Sequence, residues 1–478
     1  MRARLPDRSG CVRRDGTRLY YELFGASEPT IVFLPTWSII HSRHWKAQIP
    51  YFARHFRVLT FDGRGNGRSD RPAQPDAYDD EQFALDTLAV MDANEIARAA
   101  IVSLSAGSRW ALMLAARHPE RIAAAAFIGP NVPIGAPIAE RAAAMGAFDA
   151  PHEHYGGWKK YNSHYWRSNY RGFLEFFFSQ CLCELHSTKQ IEDCVGWGME
   201  TTPEMLIATQ YARSMSERDA AELAATVRCP VFVINGDDDR ITGCDRGAGL
   251  ARATGGTLVT LEGSGHLPHT RDPVRVNLAL RSFLDPRPAT TSWQRARGRR
   301  KRALYISSPI GLGHAQRDVA IARELRKLHP DLEIDWFAQH PVTKVLEANG
   351  ERIHPASAFL ASESAHIEGE SAEHDLHCFQ ALRRMDEILI ANFMLFHDIV
   401  TEEHYDLWIG DEAWELDYYL HENPELKRAP YVWMTDFVGY LPMPDGGERE
   451  AFLTADYNVE MIEHVERYRW LRDRAIFV

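Results

Sequence analysis

Between about residues 18 and 286, short runs with no polar alternation take turns with segments of helical period. The runs are Ile31-Val-Phe-Leu-Pro35, Arg57-Val-Leu-Thr-Phe-Asp62, Ala100-Ile-Val-Ser-Leu104, Ala123-Ala-Ala-Ala-Phe-Ile128 and Val231-Phe-Val-Ile-Asn235. A strand apolar on both faces must be covered on both faces, and helices between successive strands supply that cover. The pattern therefore dictates an α/β fold built on a mostly parallel sheet. Thr257-Leu-Val-Thr-Leu261 is expected as its last strand and Pro273 to Leu284 as a closing helix. The chain has 478 residues, too many for one ordinary domain.

Charge and cysteine usage narrow the function classes. A net charge of -12 argues against a general nucleic-acid binder. No stretch reaches the roughly 20 apolar residues of a membrane span. The start, Met1-Arg-Ala-Arg-Leu-Pro-Asp-Arg, lacks the apolar centre of a signal peptide. Seven scattered cysteines, an odd number, fit reduced thiols in the cytoplasm. Cys181-Leu-Cys183 with Cys194 has no paired spacing that would hold a metal, so neither metal nor cofactor is expected.

Residues from about 133 to 222 interrupt the alternation with an aromatic-rich insert. Trp166, Tyr170, Phe173 and Phe177 recur at helical spacing. Two readings follow: the buried face of an inserted helical unit, or a lid in which Trp166, Tyr170 and Phe177 line a pocket for the apolar part of a small-molecule substrate.

The chemistry sits at the ends of the strands. Ser103-Leu-Ser105-Ala-Gly107 lies between an apolar run and the helical segment Ser108 to Arg117. A tight strand-to-helix turn of small residues exposes a serine hydroxyl where a base can reach it. Gly236-Asp-Asp-Asp239 follows a later strand, and Gly263-Ser-Gly-His266 the strand after that. Loops at the carboxyl ends of parallel strands converge, so Ser105, Asp239 and His266 are expected to meet. A serine hydroxyl needs a base, which His266 would supply, and Asp239 would fix the imidazole tautomer. Asp237 and Asp238 read as solvated neighbours of the acid, and His269 is the alternative base. Two backbone N–H groups must receive the developing oxyanion, expected from Ala106 and Trp37. Asp62 and Arg64 read as ties between loops.

Residues 15 to 286 resemble the α/β-hydrolase fold family. The order serine, acid, histidine carries the resemblance, together with Asp62-Gly-Arg64-Gly65-Asn-Gly67-Arg-Ser69-Asp70, which is similar to the Asp-x-Arg-Gly-x-Gly-x-Ser segment of many members. Membership implies cleavage of an ester, thioester, lactone or related acyl bond, or acyl transfer. Two departures stand out: Ser103 replaces the first glycine of the turn, and Pro35-Thr36 replaces the usual His-Gly of the oxyanion loop. Some folds of this kind serve only as binding modules.

Asp285-Pro-Arg-Pro-Ala-Thr-Thr-Ser292 and the basic run Arg295 to Arg302 read as an exposed linker over 287–302. A second α/β pattern begins at Ala303. Its strand Leu304 to Ser308, loop Gly311-Leu-Gly313-His314 and helix Asp318 to Leu328 resemble the opening of the acceptor-side domain in glycosyltransferases built from two Rossmann-like domains. That resemblance implies a sugar or lipid-linked acceptor near Gly311, Gly313 and His314. The carboxylates of Asp406, Asp411, Glu412, Glu415, Asp417 and Asp436 either surround such a ligand or cap helices. The chain ends soon after one such domain would be complete, so residues 303–478 are expected to be incomplete.

Overall fold

A computed structural model of the protein describes residues 2–286, 299–371 and 376–478. The chain forms two compact units, residues 5–286 and residues 287–478 with the first four residues.

The first unit is built on eight strands: β1 (Arg8–Arg14), β2 (Thr17–Phe24), β3 (Thr30–Phe33), β4 (Arg57–Phe61), β5 (Ala99–Leu104), β6 (Ile122–Ile128), β7 (Val231–Gly236) and β8 (Thr257–Leu261). They lie in the order β1-β2-β4-β3-β5-β6-β7-β8. β2 runs antiparallel to both β1 and β4, and the remaining pairs are parallel. Every residue of β5 and β7 is buried, as continuous apolar strands between two helical layers must be. β8 lies at the sheet edge and exposes most of its residues. Helices Asp80–Ala93, Gly107–Arg117 and Cys244–Thr254 cross over between the strands, and Pro273–Leu284 follows the last of them.

Each apolar run of the sequence becomes a strand. The sheet also begins earlier than expected, because Asp15 and Gly16 both adopt positive φ (46° and 79°) and turn β1 back onto β2.

Between β6 and β7 the chain forms helices Ala139–Gly146, Ser163–Ser168, Tyr170–Cys181, Thr188–Gly198, Pro203–Ala208 and Glu217–Ala224. Their interior is aromatic. Trp166 stacks on Phe173 at 4.3 Å between ring centroids and meets Phe148 edge-on at 4.9 Å.

Polar ties hold the loops at the sheet's carboxyl end. Arg64 grips Asp86 with two hydrogen bonds of 2.7 Å, and Arg14 adds a third contact at 2.6 Å. Asp86 is wholly buried. The Asp62 carboxylate accepts hydrogen bonds from the Ser42 hydroxyl (2.6 Å) and from the N–H groups of Ser42 and Arg68. Both residues therefore tie loops together.

The second unit holds a six-stranded sheet: β9 (Arg302–Ser307), β10 (Glu333–Ala338), β11 (Arg352–Ile353), β12 (Leu407–Asp411), β13 (Tyr431–Thr435) and β14 (Arg474–Phe477). Its order is β11-β10-β9-β12-β13-β14, with every pair parallel. Tyr305 of β9 stacks on Trp336 of β10 at 4.4 Å in the core.

Two expectations, on the helix after β9 and on the basic run, need correcting here. The helix after β9 spans Leu312–Leu328, so Gly313 and His314 belong to its first turn and only Gly311 precedes it. Arg474–Phe477 is an edge strand of the sheet. The basic run does not read as linker throughout: residues 287–298 lie outside the described residues, but Arg299 pairs with Asp406 at 2.6 Å and Arg302 with Asp335 and Glu403. Carboxylates placed beside β9 by the fold absorb these charges. Among the described residues no helix is long and apolar enough to cross a membrane, and all seven cysteines are free.

Leaving Arg64 buried without its partner is costly, about 3–5 kcal/mol for such a pair. Asp86→Ala is expected to lower the unfolding free energy of residues 5–286, read from urea denaturation, by that amount. Asp238→Ala, which removes an exposed pair with Arg240, should shift it by less than about 1 kcal/mol.

Candidate active site

The Ser105 backbone sits at φ 51°, in the left-handed region. That conformation costs a non-glycine residue about 1–2 kcal/mol. The turn is pinned on three sides. Ser105 N–H donates to the Ile128 carbonyl (3.0 Å), while its own carbonyl accepts from Asn131 N–H (3.0 Å) and Ser108 N–H (3.1 Å). A Cβ at Gly107 would overlap the Pro35 carbonyl oxygen, so only glycine lets the helix begin this close to the loop after β3. Ser103 is accommodated in place of glycine because its hydroxyl finds the Ala126 carbonyl at 3.1 Å and lies 3.3 Å from the Ser108 hydroxyl.

Asp239 and His266 come together in loops after β7 and β8. His266 Nδ1 lies 2.9 Å from Asp239 Oδ2, and both residues are buried. The carboxylate also accepts hydrogen bonds from Ile241 N–H (2.8 Å), Thr242 N–H (2.9 Å) and the Thr242 hydroxyl (2.6 Å). Burial works to raise the Asp239 pKa. The adjoining His266 and these donors outweigh burial and hold the carboxyl well below its usual range. The His266 backbone N–H donates to the Cys181 carbonyl of the helical insert at 2.8 Å.

Gly129 joins the serine to this pair. It follows Ile128, which anchors Ser105, and a Cβ there would stand 3.0 Å from His266 Nδ1 and 3.2 Å from Cε1. The imidazole thus packs against the residue next to the one that holds the turn. The Ser105 hydroxyl makes no hydrogen bond to His266 among the described residues. Such a contact is commonly loose before substrate binds.

His269, the alternative base, is placed elsewhere. Its Nε2 lies 3.0 Å from His44 Nδ1, and burial pushes it down to about 3, so it is a neutral member of a buried histidine pair. Asp237 binds Gly263 N–H, and Asp238 pairs with Arg240 at the surface.

The loop Pro35-Thr36-Trp37 lies against the turn, with the Thr36 hydroxyl donating to the Leu104 carbonyl at 2.9 Å. Among the described residues neither Ala106 N–H nor Trp37 N–H has an acceptor. Trp37 is fixed from the insert side. Its indole N–H donates to Thr209 (2.8 Å), and its ring meets Phe177 at 5.4 Å and Trp166 at 6.1 Å. Trp166 and Phe177 therefore back the ring of Trp37. The Tyr170 hydroxyl donates to the Gly198 carbonyl at 3.2 Å.

Residues 29–273 match the model of the alpha/beta hydrolase fold family, just over half of the chain. The chain belongs to that family. Among the relatives of this alpha/beta hydrolase fold protein, RutD of Caulobacter segnis, provisionally named a carbamate hydrolase, is 37% identical over 78 residues, which are 16% of this chain and 29% of RutD. The chain thus spans less than a third of the length of that relative. 3-Oxoadipate enol-lactonase 2 of Acinetobacter baylyi is 26% identical over 281 residues, covering 56% of this chain and 92% of the lactonase. The enol-lactonase structure from Burkholderia xenovorans aligns with 58% of this chain and 99% of its own, at 23% identity and a TM-score of 0.48.

Sequence reasoning missed Thr242, Gly129 and Asn131. Thr242 had a readable signal, an aspartate followed three residues later by a threonine, which is a local side-chain-to-backbone pattern. Gly129 and Asn131 act through contacts distant in sequence and carried no local signal.

In the second unit His314 Nδ1 lies 2.9 Å from Asp411 Oδ2, with Arg317 bonded to the same carboxylate at 2.5 Å. Gly311 precedes this turn and Gly313 lies within it. Asp406 and Asp417 are paired with Arg299 and Arg472 and act as structural ties. The donor atoms of Glu422, Glu460 and His464 lie within 4.8 Å of one another and could hold a metal ion. In this structure His464 Nε2 is 2.6 Å from Glu422 Oε1, and Tyr418 donates to Glu460.

A carboxyl held below its unfolded value contributes stability above the unfolded pKa, about 4, and loses it as pH falls from there toward the folded value. Asp239→Asn is therefore expected to cost the first unit about 3 kcal/mol at pH 7. The difference from the unmodified chain should shrink below about pH 4, as read from urea midpoints of both proteins across that range.

Proposed function

We propose that residues 5–286 are a serine hydrolase that cleaves an ester, thioester, lactone or similar acyl bond through an acyl-enzyme. The buried 2.9 Å pair between His266 Nδ1 and Asp239, set one residue from the anchor of the strained Ser105 turn, carries this reading. With Nδ1–H committed to the carboxylate, the free electron pair of His266 is on Nε2. Nε2 takes the Ser105 proton as Oγ bonds to the acyl carbon, and the imidazolium that forms is stabilised by Asp239. The N–H groups of Ala106 and Trp37 receive the oxyanion. Its collapse breaks the bond to the leaving group, which takes the proton from Nε2. Water, activated by the same histidine, then releases the acid. The insert acts as a lid, with Trp166 and Phe177 shaping the apolar side of the pocket through Trp37. Enol-lactonase and RutD relatives support a hydrolytic reaction.

A second reading concerns residues 303–478. We infer that they take a sugar or lipid-linked acceptor beside Gly311, Gly313 and His314. The observation favouring it is the cluster at the end of β12 in which His314 Nδ1 lies 2.9 Å from both Asp411 Oδ2 and Arg317 Nη2.

Ser105→Ala should lower the hydrolysis of short-chain p-nitrophenyl esters by a factor on the order of 10³ or more and abolish labelling by a fluorophosphonate probe. Labelling that persists in the variant would sink the serine mechanism. For the second unit, saturation-transfer NMR of the full chain with N-acetylglucosamine should show a signal that His314→Ala removes, and no signal in the unmodified chain counts against the acceptor reading.

A further inference from the structure

Two arginines flank the proposed site without the partners such groups normally have. Arg141, on the insert helix Ala139–Gly146, donates from Nη1 to the Ile241 carbonyl at 3.2 Å, and Ile241 N–H binds the Asp239 carboxylate. Arg246, on helix Cys244–Thr254, bonds the Asn131 side chain, and Asn131 N–H holds the Ser105 carbonyl at 3.0 Å. One guanidinium therefore hangs from the acid loop and the other from the serine turn. Among the described residues neither forms an ion pair with a carboxylate. The Nε of each is buried and has no hydrogen-bond partner. Arg109, one helical turn after Ser105, differs, since its Nε is paired with Asp80 at 2.8 Å.

The two groups feel the same surroundings. Burial, then the guanidinium groups of Arg141 and Arg109, push Arg246 below its ordinary value, while Asp239 and Glu217 pull the other way. Burial pushes the Tyr161 phenol up, and Arg141 is the largest influence drawing it back. The Tyr161 ring lies 6.2 Å from that of Trp37. Arg141 thus stands between the acid loop and the wall behind the proposed oxyanion donor.

A guanidinium does not shed its charge, and leaving its N–H groups buried and unpaired is unfavourable. A buried guanidinium with no carboxylate partner calls for an explanation, and an anionic ligand is one that would supply the missing partner. We propose that Arg141 and Arg246 form a carboxylate subsite, so that the acyl substrate carries a second, ionised carboxylate. A planar carboxylate fits the fork of N–H donors. What this says of the substrate rests on the serine-hydrolase reading; the binding of the anion does not.

Two measurements on the full chain separate these. The first compares kcat/KM for mono-p-nitrophenyl glutarate and p-nitrophenyl butyrate. The unmodified protein is expected to favour the anionic ester by a factor on the order of ten or more. Arg141→Met and Arg246→Met should each erase most of that ratio. Purely structural arginines would slow both esters alike and leave the ratio intact, and that result, or a ratio of one or less at the outset, overturns the subsite. The second is calorimetric titration of Ser105→Ala with glutarate, which needs no turnover. Saturable binding that the added Arg141→Met removes supports the subsite even if neither ester is cleaved, which would count against the hydrolase alone. No binding, or phosphate bound as tightly as glutarate, overturns it.

Discussion

A serine in a left-handed turn is an unfavourable piece of backbone, and much of the first unit is arranged so that it persists. The strain is small beside the burial of β5 and β6, whose ends hold it. Ile128 and Asn131 clamp the turn from the β6 side, and Pro35 limits residue 107 to glycine from the β3 side. Because the clamp includes Ile128, the next residue, Gly129, becomes the floor against which the His266 ring rests. Ser105 and the His266 ring are thereby referred to one short segment of one buried strand end, so errors in more distant loops do not accumulate between them. Asp239 then needs only to fix the ring's rotation, and its three donors from residues 241 and 242 hold it in place.

Much of this was readable from residue order. Strands buried on both faces announce themselves as unbroken apolar runs, so β3 to β7 stand where the sequence puts them. β1 escaped because its residues alternate in exposure at the sheet edge. The Asp15-Gly16 turn that pairs it with β2 was the available signal. Ser105, Asp239 and His266 were visible because each follows a strand. That His266 rather than His269 pairs with Asp239 was not decidable locally. It depends on His44, 225 residues earlier, which absorbs His269 into a buried pair.

The second unit shows the same division. Its strands were legible as apolar runs. The start of the helix at Leu312 was not, since two small residues, Gly311 and Gly313, read as a loop. Gly313 meets nothing that would exclude a side chain there, so its presence reflects no packing constraint within this structure. Asp406 and Asp417 looked like members of one acidic surface, but Arg299 and Arg472 come to them from distant segments of the chain.

The insert binds these themes together. Its Cys181 carbonyl fixes the His266 backbone, its Thr209 fixes the Trp37 indole, and its Arg141 reaches the acid loop. It therefore contacts all three sides of the site, whereas its aromatic core mostly holds the insert itself together. The distinction matters for specificity. Trp166 and Phe177 are buried behind Trp37, so changing them acts through the position of that ring. Arg141 and Arg246 have unpaired donors in addition to their structural contacts. Arg109 is already paired with Asp80, so in the proposed site Arg141 and Arg246 are the guanidinium groups left to meet an anionic part of the substrate. On that proposal the two arginines discriminate by charge, where the aromatic wall behind Trp37 discriminates by shape.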